Sequence, residues 1–336
     1  MEKNVTAGSY SRVIAAGVRR WSRRSGVLAQ LFTLILLTAV FAVGTKGSFI
    51  SLKNVQVILS MTAIPALIAV GLHQTVVLGG IDLSVEGVVA LCVVFTGLLM
   101  KNATNANDVG VWILPITVGI GGVAGAIGGF LNTRVRIPSF IATLGLSWTL
   151  WGLAVFISVG QTIPILDERF RTIVSGNFLG IPVLAIIALV LVIGLQLVQD
   201  RTRFGRYLYA IGGDETLARQ AGVNVDGTKT LVFIIAGLFY GLAALFLATR
   251  LGSAQAITGN NLLFPAVTAV AVGGVALTGG IGGAKNAALG ALIVNALNEG
   301  LILLHVSPYI QQAVNGIVLI AAVALTIDRR KLGFIK

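Results

Sequence analysis

Residues 54–81 read NVQVILSMTAIPALIAVGLHQTVVLGGI, with no Asp, Glu, Lys or Arg among them. An α-helix rises about 1.5 Å per residue, so about 20 apolar residues cross the ~30 Å hydrocarbon core of a bilayer. This stretch is long enough to cross, and Gly79-Gly80 breaks its far end. The same ruler, moved outward, finds uncharged runs at 25–45, 109–133, 137–166, 172–199, 230–249 and 251–284. The run 87–100 is shorter and reaches back to Leu83 if Glu86 is included. The run 286–327 holds one acid, Glu299, and a break at His305-Val306-Ser307-Pro308. The reading is an all-α polytopic membrane protein with about ten transmembrane helices. They lie near 27–45, 55–79, 83–100, 111–131, 139–159, 181–199, 230–249, 263–280, 286–304 and 309–327.

Composition supports this. Of the 336 residues 56% are hydrophobic and only 11% charged, against roughly 25% charged in soluble domains. Mean hydropathy is +0.94. Folded in water, such a chain would expose far more apolar surface than the few hundred Å² monomers tolerate. A soluble enzyme, a disordered chain and a disulfide scaffold are excluded. The single cysteine, Cys92, permits no intramolecular disulfide, and two histidines are too few for a His/Cys metal cluster.

The net charge of +12 carries topology rather than a nucleic-acid surface. Short loops rich in Lys and Arg stay cytoplasmic. Basic residues gather in the tail (Lys3 to Arg24), in 132–138, in 200–229 and after 328, which together hold 17 of the 24. With ten spans all four segments fall on one side, so both termini are expected in the cytoplasm and the loops 101–110 and 160–180 outside. The expected organisation is a basic cytoplasmic tail at 1–26, a transmembrane domain at 27–327 with a cytoplasmic loop at 200–229, and a second tail at 328–336. The first apolar run is too long for a signal-peptide core and reads as a retained helix.

Glycine occurs 42 times. Gly121, Gly125 and Gly129 form one small-residue ladder and Gly237 and Gly241 another; such ladders serve packing within the chain or an interface between chains. Pro65–Ile81 and Pro265–Ile281 match at seven of 17 positions, and both end in Gly-Gly-Ile. That echo is a sign of internal duplication, which is common in transporters.

Enzyme motifs are missing. There is no G-x-x-x-x-G-K-[ST] loop, no G-x-S-x-G elbow, no H-E-x-x-H, and no close pair of carboxylates inside a span. The chain is expected to bind no metal or cofactor and not to hydrolyse ATP. In the link between the second and third spans, Asp82 and Ser84 suit a helix cap. Glu86 lies one turn further in, where it is either a cap or a pathway residue. In the loop 200–229, Gly212-Gly213 precedes Asp214, a suitable N-cap. Glu215 to Ala221 then reads as a short helix stopped by Gly222. Its place and length suit docking of a soluble partner.

The run from Thr202 to Val225, T-x-F-G-R-Y-x-Y-A-I-G-G-D-E and on through A-G-V-N-V, resembles the cytoplasmic coupling segment of ribose-type permeases. These are the membrane subunits of bacterial ATP-binding-cassette importers for monosaccharides. Gly80-Ile81-Asp82-Leu83-Ser84-Val85, Ile137 to Gly145, Arg250 to Gln255, and the pairs Gly273-Gly274 and Gly279-Gly280 resemble four further segments of that family, in order. Two places depart from it. Glu86 stands where the family usually has Gly. Leu262-Leu263-Phe264-Pro265-Ala266 stands where it usually reads Glu-Leu-Asp-Ala-Ile. Both bear on which sugar is carried.

The resemblance implies a bacterial inner-membrane location, an ATPase subunit that uses ATP and magnesium, a periplasmic solute-binding protein, and a second permease chain. It also implies that Gly212, Gly213, Asp214, Glu215, Ala218, Arg219 and Gly222 engage the ATPase. A sugar needs hydrogen bonds but no charge, so candidate pathway groups are polar residues within spans. These are His73, Gln74, Glu86, Ser139, Thr143, Ser147, Asn295 and Asn298, with Trp148 and Trp151 as stacking surfaces or interfacial anchors. Interhelical hydrogen bonding is the competing use of each polar group. The rival function is an ion-coupled carrier or channel, which usually keeps several buried charges; here only Glu86 and Glu299 fall within spans.

Overall fold

A computed structural model describes residues 27–326; the tails expected at 1–26 and 328–336 lie outside the described residues. Thirteen α-helices run in order through this stretch. Seven helices are long and apolar enough to cross a membrane. They are α1 (Val27–Gly44), α2 (Leu52–Val77), α4 (Ile113–Thr133), α5 (Ser139–Ser158), α7 (Val183–Arg201), α10 (Val225–Leu251) and α12 (Ala284–Leu303). The remaining three expected positions hold the shorter apolar helices α3 (Val85–Leu99) and α11 (Leu263–Val272), and α13 (Pro308–Thr326), whose apolar stretch is Pro308–Ala324. The eighth expected helix, near 263–280, stops early for a visible reason. Gly274, Gly279, Gly280 and Gly282 all take positive φ, which ends a helix and turns the chain back.

Three short helices fall outside the expected ten: α6 (Glu168–Ser175), α8 (Arg203–Gly213) and α9 (Glu215–Gln220). Two-residue antiparallel ladders join Ile163–Pro164 to Ser253–Ala254 and Asn177–Phe178 to Ile181–Pro182.

The central helix is α10, which packs along α4, α2 and α3. The glycine ladders explain its closeness to α4. A Cβ on Gly121 would lie 2.2 Å from the Gly237 carbonyl oxygen, and one on Gly237 would lie 2.1 Å from the Gly121 oxygen. The ladders therefore serve packing inside this chain, where backbone meets backbone.

The ends of the bundle differ in charge. Thr133 meets Thr230 at 3.1 Å, Ile81 N–H donates to Ser139 Oγ at 3.1 Å, and Ala284 N–H donates to Gln199 Oε1 at 3.1 Å. These contacts collect the C-termini of α2, α4 and α7 and the N-termini of α5, α10 and α12 at one end. Arg134, Arg136, Arg201, Arg203, Arg206, Arg219 and Lys229 all belong to it. At the other end Arg169 on α6 clasps Asp108 and Asp167 at 2.6 and 2.5 Å. The Arg169 guanidinium holds both carboxyls below their usual range.

The sequence echo has a spatial counterpart. Gly280 N–H donates to the Val77 carbonyl at 2.8 Å, and a Cβ on Gly279 would lie 2.9 Å from Gly79 N. The two Gly-Gly-Ile turns thus lie side by side at the basic end.

Candidate functional site

Two arrangements could carry function: a helical cap at the basic end, and a polar seam with a cavity inside the bundle.

The cap is α8 and α9. Thr202 Oγ1 accepts from Gly205 N–H at 3.4 Å and starts α8. Asp214 Oδ1 accepts from Leu217 N–H at 3.0 Å and starts α9. Gly222, at φ 80°, ends it. Ala218 is buried against Ile211 and Val225, whereas Leu217 is 61% exposed. Lys229 donates to Glu215 at 2.6 Å, and Arg219 donates to Asp226 at 2.9 Å and to Glu215 at 3.4 Å. Exposed ion pairs are individually weak. Together these tie α9 to the first turn of α10. The Asp226 hydrogen bond is the main reason that the Arg219 pKa is raised.

Gly212 is the contact point between cap and bundle. A Cβ there would lie 1.8 Å from the Val77 carbonyl oxygen and 2.7 Å from Gly280 N. Tyr209 adds a hydrogen bond from its hydroxyl to the Gly282 carbonyl, 2.6 Å. So α8 lies directly against both Gly-Gly turns. Gly213, one residue on, has open space beside it.

The seam runs along residues 80–87, where the chain turns from α2 into α3. Its amides are met by hydroxyls of α5 spaced one turn apart. Ile81 N–H donates to Ser139 Oγ, Leu83 N–H to Thr143 Oγ1 at 2.9 Å, and Gly87 N–H to Ser147 Oγ at 3.1 Å. Ser139, Thr143 and Ser147 do share one face, as their spacing implies, and that face binds backbone. Gly87 is needed here because a Cβ would lie 2.2 Å from the Ser147 carbonyl oxygen.

Asp82 anchors the same turn. It is 1% exposed. Its Oδ1 accepts from Ser84 N–H at 2.9 Å and Ser84 Oγ at 2.6 Å, and its Oδ2 accepts from the Tyr240 hydroxyl at 3.0 Å. The link from Asp82 to α10 was missed in sequence, because Tyr240 lies 158 residues away.

Beside the seam is a cavity of about 440 Å³. Leu83, Glu86, Gly87, Leu144, Ser147, Trp148, Trp151, Asn260, Asn261 and Leu263 line it. Glu86 Oε1 accepts from Leu263 N–H, the first turn of α11, at 3.3 Å. Trp148 and Trp151 meet edge to face, with centroids 5.9 Å apart. Asn260 and Asn261 were not expected; they follow a 3₁₀ turn at Ala256–Gly259, and Asn261 has φ 62°.

The other expected pathway residues lie elsewhere. His73 and Gln74 are fully buried in α2. His73 contacts the Val70 carbonyl and, at 2.8 Å, Gln199 of α7. Neither end of the Gln74 amide has a partner among the described residues. Asn295 donates to Ala291 in its own helix, and Asn298 accepts from Asn315 at 3.0 Å, joining α12 to α13. The structure therefore brings together Glu86, Ser139, Thr143 and Ser147, and not His73, Gln74, Asn295 or Asn298. No group of three His, Cys, Asp or Glu suited to a metal occurs among the described residues.

Comparison with known proteins gives one family. Residues 54–323 match the family described as branched-chain amino acid transport system / permease component. The chain is similar to the ribose import permease protein of Haemophilus influenzae, at 35% identity over 299 residues, covering 88% of this chain and 91% of the relative. It is 36% identical to the ribose import permease protein of Bacillus subtilis over 313 residues, 92% and 94% of the two chains. It is 34% identical to the L-arabinose transport system permease protein of Escherichia coli over 328 residues, 97% and 96%. No solved structure matches it.

Proposed function

We infer function from family: this chain belongs to the branched-chain amino acid transport system / permease component family and is a multi-pass permease subunit of an ATP-binding-cassette importer. We propose that its solute is a monosaccharide or a similar small neutral polyol. The family description names amino acids, whereas the relatives are named for ribose and L-arabinose. Chemistry favours the sugar. An amino acid's carboxylate would lie against the Glu86 carboxyl, which already takes the Leu263 N–H at the start of α11, and the cavity lining offers no Lys or Arg to offset it.

The remaining parts follow as proposals. The chain crosses the bacterial inner membrane about ten times, with both termini and the basic end cytoplasmic. An ATPase subunit docks on the cap through Gly213, Asp214, Glu215, Arg219 and Gly222, while Gly212 and Ala218, which face inward, seat the cap behind that surface. ATP and magnesium act on that subunit, and this chain binds no cofactor. A periplasmic binding protein delivers solute to the opposite end, and a second permease chain completes the pathway. His73, Gln74, Glu86, Ser139, Thr143, Ser147, Asn295 and Asn298 are the polar groups from which the pathway is drawn; Glu86 and Ser147, which line the cavity, are the strongest of them.

The observation that carries this reading is the seat of Gly212 against both Gly-Gly turns. A push on α8 and α9 has no slack to absorb it there. It passes to the ends of α2 and α11, and through the Glu215, Arg219, Asp226 and Lys229 pairs to α10. Large-scale motion of packed helices in transporters proceeds by such rigid-body shifts. The test is uptake into proteoliposomes holding this chain, its ATPase and its binding protein. Labelled pentoses and hexoses are compared with labelled leucine. ATP-dependent accumulation of a sugar, and none of leucine, is expected. Accumulation driven by an ion gradient without the ATPase would contradict the importer reading.

A further inference from the structure

A second cavity, of about 410 Å³, opens at the basic end between α4 and α10. Phe130, Leu231 and Ile234 form its apolar wall, and the first two are exposed on helices long enough to cross a membrane. Its lining also holds one cation and one anion, Arg134 and Asp226. The two hydroxyls in the lining are already engaged: Thr133 Oγ1 donates to the Gly129 carbonyl at 2.8 Å, and Thr230 Oγ1 to the Asp226 carbonyl at 3.0 Å. Arg219 and Lys229, the other cations that act on Asp226, are engaged as well, with Asp226 and Glu215 respectively. Arg134 is not. Its guanidinium has no hydrogen bond or ion pair among the described residues. Asp226 is half used: Oδ1 accepts from Arg219, and Oδ2 has no hydrogen-bond partner among the described residues. Arg134 and Asp226 thus border one space without pairing with each other.

We propose that this cavity seats the head of one phospholipid, of the ethanolamine class, from the leaflet at the basic end. The Arg134 guanidinium takes the phosphate, whose oxygens match its planar fork. The ammonium donates to Asp226 Oδ2. The acyl chains lie along Phe130, Leu231 and Ile234 and run on into the bilayer. Basic pockets between transmembrane helices on the cytoplasmic side take lipid headgroups, and here the free carboxylate oxygen chooses among them. A choline head carries the same charges but has no N–H to give. A glycerol head offers neutral hydroxyls, and charge-assisted hydrogen bonds are roughly twice as strong as neutral ones. A soluble zwitterion lacks the chains that cover the apolar wall. The same Asp226 holds Arg219 of α9, so a bound head joins the cap to the leaflet.

The proposal needs only that the chain crosses a membrane, so it stands or falls apart from the importer reading. The purified full-length chain in detergent is titrated with phosphatidylethanolamine, phosphatidylcholine and phosphatidylglycerol of matched acyl chains, and bound lipid is counted by native mass spectrometry. The first phosphatidylethanolamine is expected to bind more tightly than either other lipid, by about fivefold or more. Arg134→Gln should weaken it by about as much. Arg136→Gln removes the same charge two residues away, outside the cavity lining, and should leave it near the wild-type value. Asp226→Asn keeps an acceptor for Arg219 and should bring phosphatidylethanolamine down to the level of phosphatidylcholine. The Arg134 side chain makes no bond, so Arg134→Gln is expected to keep the wild-type melting temperature and decides alone if Asp226→Asn unfolds. Equal affinity for the three lipids, tightest binding of phosphatidylglycerol, or equal losses in Arg134→Gln and Arg136→Gln overturns the proposal. So does displacement of the lipid by soluble glycerophosphoethanolamine at equal concentration, which would make the occupant a free phosphate compound.

Discussion

Gly212→Val is expected to uncouple the cap from the bundle. The first atom of any side chain at this position falls 1.8 Å from the Val77 carbonyl oxygen and 2.7 Å from Gly280 N. Both neighbours are backbone, so no side-chain rotation relieves the overlap. The helix α8 must lift away from the turns, or the turns must separate. Overpacking of this kind costs about 1–3 kcal/mol, and more where backbone must move. The whole chain has many other contacts, so it is expected to remain in the membrane with a lowered melting temperature. Uptake should fall at least tenfold while the ATPase still binds, because α9 and its exposed Leu217 are not touched by the change. Gly194→Ala, on α7 with open space beside it and away from the cap, is the control and should leave uptake near normal.

Asp82→Ala should be the most destabilising single change in the seam. It strips partners from Ser84 N–H, Ser84 Oγ and the Tyr240 hydroxyl together, all in a fully buried setting. Each unmet buried donor costs about 1–3 kcal/mol. Some relief from local shifts brings the expected total to about 3–5 kcal/mol, read as a shift in detergent denaturation. Asp82→Asn keeps the acceptor for Ser84 and lets the Tyr240 hydroxyl turn to accept instead. It should cost about 1 kcal/mol. Equal losses for Ala and Asn would mean that the anchor works through charge rather than through hydrogen bonds.

The membrane spans were legible because bilayer thickness imposes one length on every crossing helix. Uncharged runs therefore found every long helix and its order. The cap helix was legible too, since Asp214 and Gly222 are local signals for a start and a stop, and α9 lies between them. What the sequence hid is long-range. Hydroxyls spaced by four mark one face of α5, but only the fold reveals that the face meets the amides of residues 81–87. Tyr240 gives no sign in sequence that it reaches Asp82. The cavity is assembled from three separate stretches, around 86, 148 and 261, so no local pattern announces it. The shortened α11 was obscured because its apolar composition continues through Gly273–Ile281, and only positive φ at the glycines ends the helix.

We propose that an ATPase subunit docks on α8 and α9 and drives the bundle through them. Copurification tests it most directly, comparing the wild-type chain with a Gly213→Trp, Leu217→Asp variant. Both sites face open space or solvent, so the bundle should keep its fold. The wild-type chain is expected to retain the ATPase and the folded variant to lose it. A folded variant that still carries the ATPase at the wild-type ratio would contradict it.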